Sequence, residues 1–149
     1  MRDEKKPKSR RTAAKDFPVV AIGASAGGLE AFLKLIAKIP LDSGMAFIFI
    51  QHLDPDHESL GVDIIKKATK LKTVEASDGV IIRPNTIYIK PPNCALHIIG
   101  EKLNTSPRSS PPHRHTIDYF FESVAKSLKS RAIGVVLSGM GNDGTHGLK

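Results

Sequence analysis

Apolar residues in this chain fall into short continuous runs separated by segments of helical period. Val19 to Ile22 is one such run, and it leads into Gly23-Ala24-Ser25-Ala26-Gly27-Gly28. Beyond the glycines, Leu29, Phe32, Leu33, Ile36 and Ile39 recur every three or four residues. A strand, a tight turn and an amphipathic helix are therefore predicted from about Val19 to Ala37, ended by Pro40 and Asp42-Ser43-Gly44. Ala46 to Ile50 has the continuous apolar pattern of a strand covered on both faces. A helix through Leu60 to Ala68 follows a polar loop, and Lys72 to Glu75, Val80 to Ile82 and Thr86 to Ile89 read as short strands. Cys94 to Ile99 with Gly100 and Leu103 suggests a hairpin, a β-rich insertion in the strand and helix alternation.

Asn104 to His115 holds three prolines, three serines and few apolar residues, so a loop is predicted. Thr116 is the expected N-cap of a helix whose buried stripe is Phe120, Phe121, Val124 and Leu128. Ala132 to Leu137 is a further apolar strand that delivers Ser138-Gly139-Met140-Gly141-Asn142-Asp143-Gly144 at its carboxyl end. A glycine turn in this place is expected to feed a crossover helix and another strand, which the five residues after Gly144 do not supply.

With 149 residues the chain is of one-domain size. The formal charge of +7 is unevenly spread: seven of 22 basic and three of 15 acidic residues lie in residues 1–17, leaving 15 basic against 12 acidic beyond. The excess is thus largely a basic extension over residues 1–16, with almost no apolar residues and expected to be disordered. Without a recognition helix or aromatics interleaved with basic residues, nucleic acid is not an expected partner. No apolar run approaches the ~18 residues of a membrane span, and Met1 to Lys15 lacks the plan of an export signal. Together with a lone Cys94, this gives an expected cytoplasmic setting with no membrane insertion.

Ser25, His52 and Asp143 each follow a short apolar strand, so in a parallel sheet all three project at one edge. Serine becomes a nucleophile when a base takes its proton; histidine can do this near neutral pH, and an aspartate on its second nitrogen fixes the tautomer. Glycines around Ser25 and Asp143 allow close approach of main-chain donors to an oxyanion. Spacing alone leaves other readings open. Ser25 could cap the following helix, and Gly23 to Gly28 could hold phosphate, although it lacks both the Lys-Ser/Thr pair of a nucleotide loop and GxGxxG. Asp143 could shape an Asx turn. His52 and His57 lie near Asp54, Asp56 and Glu58 without metal-ligand spacing, so no metal and no cofactor is expected. His113 and His115 are candidate substrate contacts or plain surface residues.

Five segments in order, Ile22 to Gly28, Gln51 to Ser59, Pro91-Pro92-Asn93, Ile117 to Ala125 and Val135 to Thr145, resemble the catalytic domain of the chemotaxis protein-glutamate methylesterase family, CheB. Their wording is similar to versions joined to methyltransferase and histidine kinase modules, and the resemblance runs from about Phe17 to the end. It implies an α/β fold, a doubly wound and mostly parallel sheet with helices on both faces and a small β-rich insertion, incomplete at the C-terminus. It further implies hydrolysis of glutamate γ-methyl esters on cytoplasmic helices of chemoreceptors, and deamidation of selected glutamines. Ser25 is then the nucleophile, His52 the general base and Asp143 the orienting acid, with backbone donors at Ala26 or Gly27 and at Met140. A typical free-standing enzyme of the family carries a phosphorylatable receiver domain before this one, which Met1 to Asp16 cannot be, and family catalytic domains continue beyond the aspartate loop with another helix and edge strands. Residues 17–149 thus read as a partial methylesterase domain. The alternative is a weakly active or inactive signalling fragment that binds receptor, kinase or methyltransferase partners.

Overall fold

The computed structural model describes residues 16–25, 27–51, 61–107, 115–137, 144 and 147–149. Five strands form a parallel sheet: β1 (Val19–Ala24), β2 (Ala46–Gln51), β3 (Lys72–Glu75), β5 (Thr86–Ile89) and β8 (Ala132–Val136), in the order β3-β5-β2-β1-β8. A second, antiparallel sheet joins β4 (Val80–Ile81), β7 (Lys102–Pro107) and β6 (Cys94–Ile99) in that order. Helices α1 (Gly28–Ile36), α2 (Gly61–Ala68) and α3 (Thr116–Leu128) join them, and a 3-10 turn at Lys129–Arg131 leads from α3 into β8. The expected α/β architecture and β-rich insertion are both present.

Alternation along the central strands explains the layering, because successive side chains point to opposite faces. Val20, Ile22 and Ala24 of β1 join Phe47 and Phe49 of β2 and Ile87 and Ile89 of β5 in one apolar layer, closed by Phe32 and Ile36 of α1 and Ile65 of α2. The Phe32 and Phe49 rings stack at 3.9 Å between centroids. Val19, Ala21, Ala46, Ile48, Ile50 and Tyr88 face the other way, against Ile117, Phe120, Phe121, Val124 and Leu128 of α3 and against Leu96, Ile98 and Leu103 of the small sheet. Helices therefore lie on both faces. Burying each of these large side chains contributes roughly 1.5–3 kcal/mol, which is why the continuous runs predict central strands.

Two expectations change. The loop assigned from Asn104 begins later, since β7 extends to Pro107 and pairs Ser106 with Ala95 and Pro107 with Cys94. Leu103 is fully buried while the rest of β7 is partly or fully exposed, so its polar composition hides a strand, and proline is tolerated at a strand end. Thr116 does not cap α3; the N-cap is His115, with no side-chain cap bond. Among the described strands β8 lies at the edge of the sheet, with Ile133 and Val136 each 42% exposed.

The free edge of β6 lies against α3, and two serines one helical turn apart satisfy its backbone. Ser123 Oγ accepts the Ile98 N–H at 3.0 Å, and Ser127 Oγ donates to Ile98 O at 2.9 Å. The small sheet is thereby tied to the helix beneath the main sheet. Tyr88 performs a similar role at the β4 to β5 corner, where its Oη accepts the Arg83 N–H at 2.9 Å and donates to Ile81 O at 3.3 Å. Expected segment 1–16 lies outside the described residues except for exposed Asp16. Among the described residues no helix is long and apolar enough to cross a membrane.

Ser123→Ala is expected to lower stability by about 1–2 kcal/mol, since the Ile98 N–H loses its partner in a packed edge, as measured by urea unfolding. Burial raises the Tyr88 phenol above its ordinary value of 10.0. The folded state therefore holds that proton more tightly than the unfolded state, and the linked stability is complete below the unfolded pKa and lost as pH rises through the folded one. Unfolding midpoints should decline more steeply above about pH 10 in the parent than in Tyr88→Phe.

Candidate active site

The parallel register brings three strand ends together. Ala24 pairs with Gln51, so Ser25 and His52 each follow the last paired residues of adjacent strands. On the other side of β1, Gly23 pairs with Val136, and the Leu137 N–H is donated to Gly23 O at 2.9 Å. The segment leading to Asp143 therefore departs beside the strand that carries Ser25. Parallel strands all end at one edge, and open α/β sheets place their ligands there.

Ser25 closes β1 within a turn in which its own carbonyl accepts the Gly28 N–H at 2.8 Å. Gly27, not Ser25, is the N-cap of α1, and no side-chain cap bond is made. The helix-cap reading of Ser25 is thus not what the structure adopts. Its Oγ is buried and has no hydrogen-bond partner among the described residues. A buried hydroxyl ordinarily finds a partner, so one without a partner among the described residues is unusual. Gly27 is exposed.

His52, Asp143, Met140, Ala26 and His113 lie outside the described residues, as do His57 and its acidic neighbours. His115 is exposed at the start of α3, with Nδ1 at 3.6 Å from Asp118 Oδ2. Among the described residues no group of three histidine, cysteine, aspartate or glutamate side chains is arranged to hold a metal. Cys94 donates to Pro91 O at 3.4 Å. Burial pushes its thiol above the ordinary value of 9.0, with Lys90 opposing and Glu75 adding to the rise, so it stays protonated and is a poor nucleophile.

The first turn of α3 sits beneath this edge. A Cβ built on Gly23 would overlap Ile117 Cγ2, and one on Gly144 would lie 2.9 Å from the same atom and 3.1 Å from Val136 Cγ2. Gly144 also has φ +93°, a conformation that a side chain disfavours. Asp118, only 5% exposed, accepts the Gly147 N–H on Oδ1 at 2.7 Å. Sequence reasoning did not single out Ile117 or Asp118. The available signal was a carboxylate three residues before Phe121, on the buried stripe of the helix.

Comparison with known proteins agrees with this arrangement of elements. The family model described as CheB methylesterase matches residues 20–149. Proteins named protein-glutamate methylesterase/protein-glutamine glutaminase from Salmonella typhi and Escherichia coli (strain K12) are each 34% identical over 154 and 155 residues, covering 96% of this chain and 44% of each relative. The chain thus spans less than half the length of these relatives. The crystal structure of the Thermotoga maritima CheB methylesterase catalytic domain matches with a TM-score of 0.76 at 27% identity, over 88% of this chain and 72% of that one. With its parallel sheet, its small antiparallel sheet and its serine turn at the sheet's edge, the chain belongs to the CheB methylesterase family.

Proposed function

We propose that this chain, as a methylesterase domain over residues 17–149, hydrolyses glutamate γ-methyl esters on methylated chemoreceptor helices in the cytoplasm, and deamidates selected glutamines there. The observation that carries this reading is the buried Ser25 Oγ with no partner among the described residues, at the end of a strand flanked by those leading to His52 and Asp143. Serine, histidine and aspartate in these places suit a triad. Ser25 Oγ attacks the ester carbonyl carbon as His52 takes its proton. His52 then protonates the departing methoxide, releasing methanol and leaving a glutamyl ester on Ser25. A water deprotonated by His52 attacks that ester, and the glutamate carboxylate leaves as Ser25 recovers its proton.

Asp143 would hold the His52 ring in the tautomer that points one nitrogen at Ser25, and would stabilise the imidazolium formed in each half-reaction. The negative oxygen of each tetrahedral intermediate needs donors already in place. Within the serine turn the Gly28 N–H is taken by Ser25 O, so the amides of Ala26 and Gly27 are the turn's donors, complemented by that of Met140. His113 and His115 would contact the substrate at the rim. No cofactor enters these steps.

A second reading is a signalling fragment that binds receptor, kinase or methyltransferase partners without turnover. It draws support from the apolar surface at the sheet's edge, where Ile133, Val136 and Leu148 are exposed.

Methanol release from methylated receptor membranes separates the two. Ser25→Ala is expected to reduce release to the spontaneous background, a loss on the order of 10⁴-fold or more, and Asp143→Asn to lower kcat by on the order of 10³–10⁴-fold with KM little changed. Equal release by the parent and Ser25→Ala would sink the enzyme reading and favour the binding one.

A further inference from the structure

We propose that Asp118 is a positioning residue: its buried carboxylate anchors the far end of the segment that carries Asp143, and so sets where that acid can stand. This rests on the reading of Asp143 as the triad acid. The near end of the segment is fixed by the Leu137 N–H on Gly23 O at 2.9 Å. Its far end is fixed by the Gly147 N–H on Asp118 Oδ1 at 2.7 Å. A short bond to a buried carboxylate is a strong, directional anchor. On its other side, Oδ2 lies 3.6 Å from His115 Nδ1.

Packing supports the same role. A Cβ on Gly147 would lie 2.6 Å from Phe121 Cβ and 3.1 Å from both Asp118 Cα and Asp118 O, so at this point the backbone lies directly on the helix. Ile117, the preceding residue, fills the space beside Gly23 and Gly144. One helical turn therefore touches the strand of Ser25 and the returning segment together. A misplacement of about 1 Å in a catalytic group can lower rates by about 10²-fold, so an anchor one element away governs turnover without touching substrate.

The test uses the full chain and a small probe, diisopropyl fluorophosphate, which needs no receptor. Ser25 Oγ bonds to phosphorus, fluoride leaves, and the hydroxyl proton passes to His52; intact-mass spectrometry gives the labelling rate. All rates are taken below each variant's unfolding transition. Asp118→Ala is expected to label roughly tenfold or more slowly, and Asp118→Asn, which keeps a carbonyl acceptor for the Gly147 N–H, within about threefold of the parent. Gly147→Ala, which displaces the backbone and leaves the carboxylate intact, should also label slowly, and it takes the place of Asp118→Ala should that variant be unfolded. In an Asp143→Ala background neither change should slow labelling further, because the group they position is gone.

A parent-like rate in Asp118→Ala, an Asp118→Asn rate as slow as Asp118→Ala, or an undiminished effect in the Asp143→Ala background would overturn the positioning role. If Asp143→Ala itself labels at the parent rate, the triad assignment fails and the proposal fails with it. A parent that labels no faster than Ser25→Ala removes both as well. A slow Asp143→Ala beside a fast Asp118→Ala defeats the positioning role alone.

Discussion

Burial of β1 on both faces is the constraint on which the rest of the molecule depends. All six of its residues are buried, with β2 and β8 hydrogen-bonded on its two sides. Even-numbered side chains from Val20 to Ala24 require α1 and α2 above them; odd-numbered ones require α3 and the small sheet below. A strand enclosed in this way has little freedom in register, since a slip of one residue would exchange the two layers. That fixed register puts Ser25 and the residues following β2 and β8 at one edge.

Glycine governs how closely the layers approach at that edge. At Gly23 the odd-numbered face has no side chain, and Ile117 of α3 takes up the space. The helix can then sit under the end of β1 and receive the backbone returning from β8 at Gly144 and Gly147. Farther along, the same helix ties down the small sheet through Ser123 and Ser127 on Ile98. α3 therefore couples the insertion, the central sheet and the candidate site, and its position is set by an apolar stripe interrupted by polar groups with specific backbone partners.

Much of this could be read from the chain. Continuous apolar runs at Val19 to Ile22 and Ala46 to Ile50 identified strands, the second as one buried on both sides, because only such strands need no polar alternation. The helical stripe of Phe120, Phe121, Val124 and Leu128 identified α3 for a similar reason. The end of the small hairpin was less legible: Asn104 to Pro107 carry polar and turn-forming residues, yet they pair with β6 because Leu103 anchors the register from the buried face. The exposure of Ile133 and Val136 follows from the place of β8 at the sheet's edge and not from its own apolar composition, which reports what a strand can pack against rather than what does pack against it.

At the candidate site the division is similar. Ser25 stood out in the sequence because a serine among glycines, between a strand and a helix, has a small set of physical uses. A tertiary fact sets aside one of them, the helix cap, since that position belongs to Gly27, and Ser25 Oγ is buried without a partner among the described residues. Asp118 could not be assigned from its place in a helix, where an acidic residue in the first turn is ordinary. Only the fold brings Gly147 to its carboxylate. Local apolar period and turn chemistry act between neighbouring residues, so the sequence by itself determined the strands, the helices and the serine turn. Which residues meet across distant segments depends on how the two faces of β1 are filled, and the tertiary structure alone decided that.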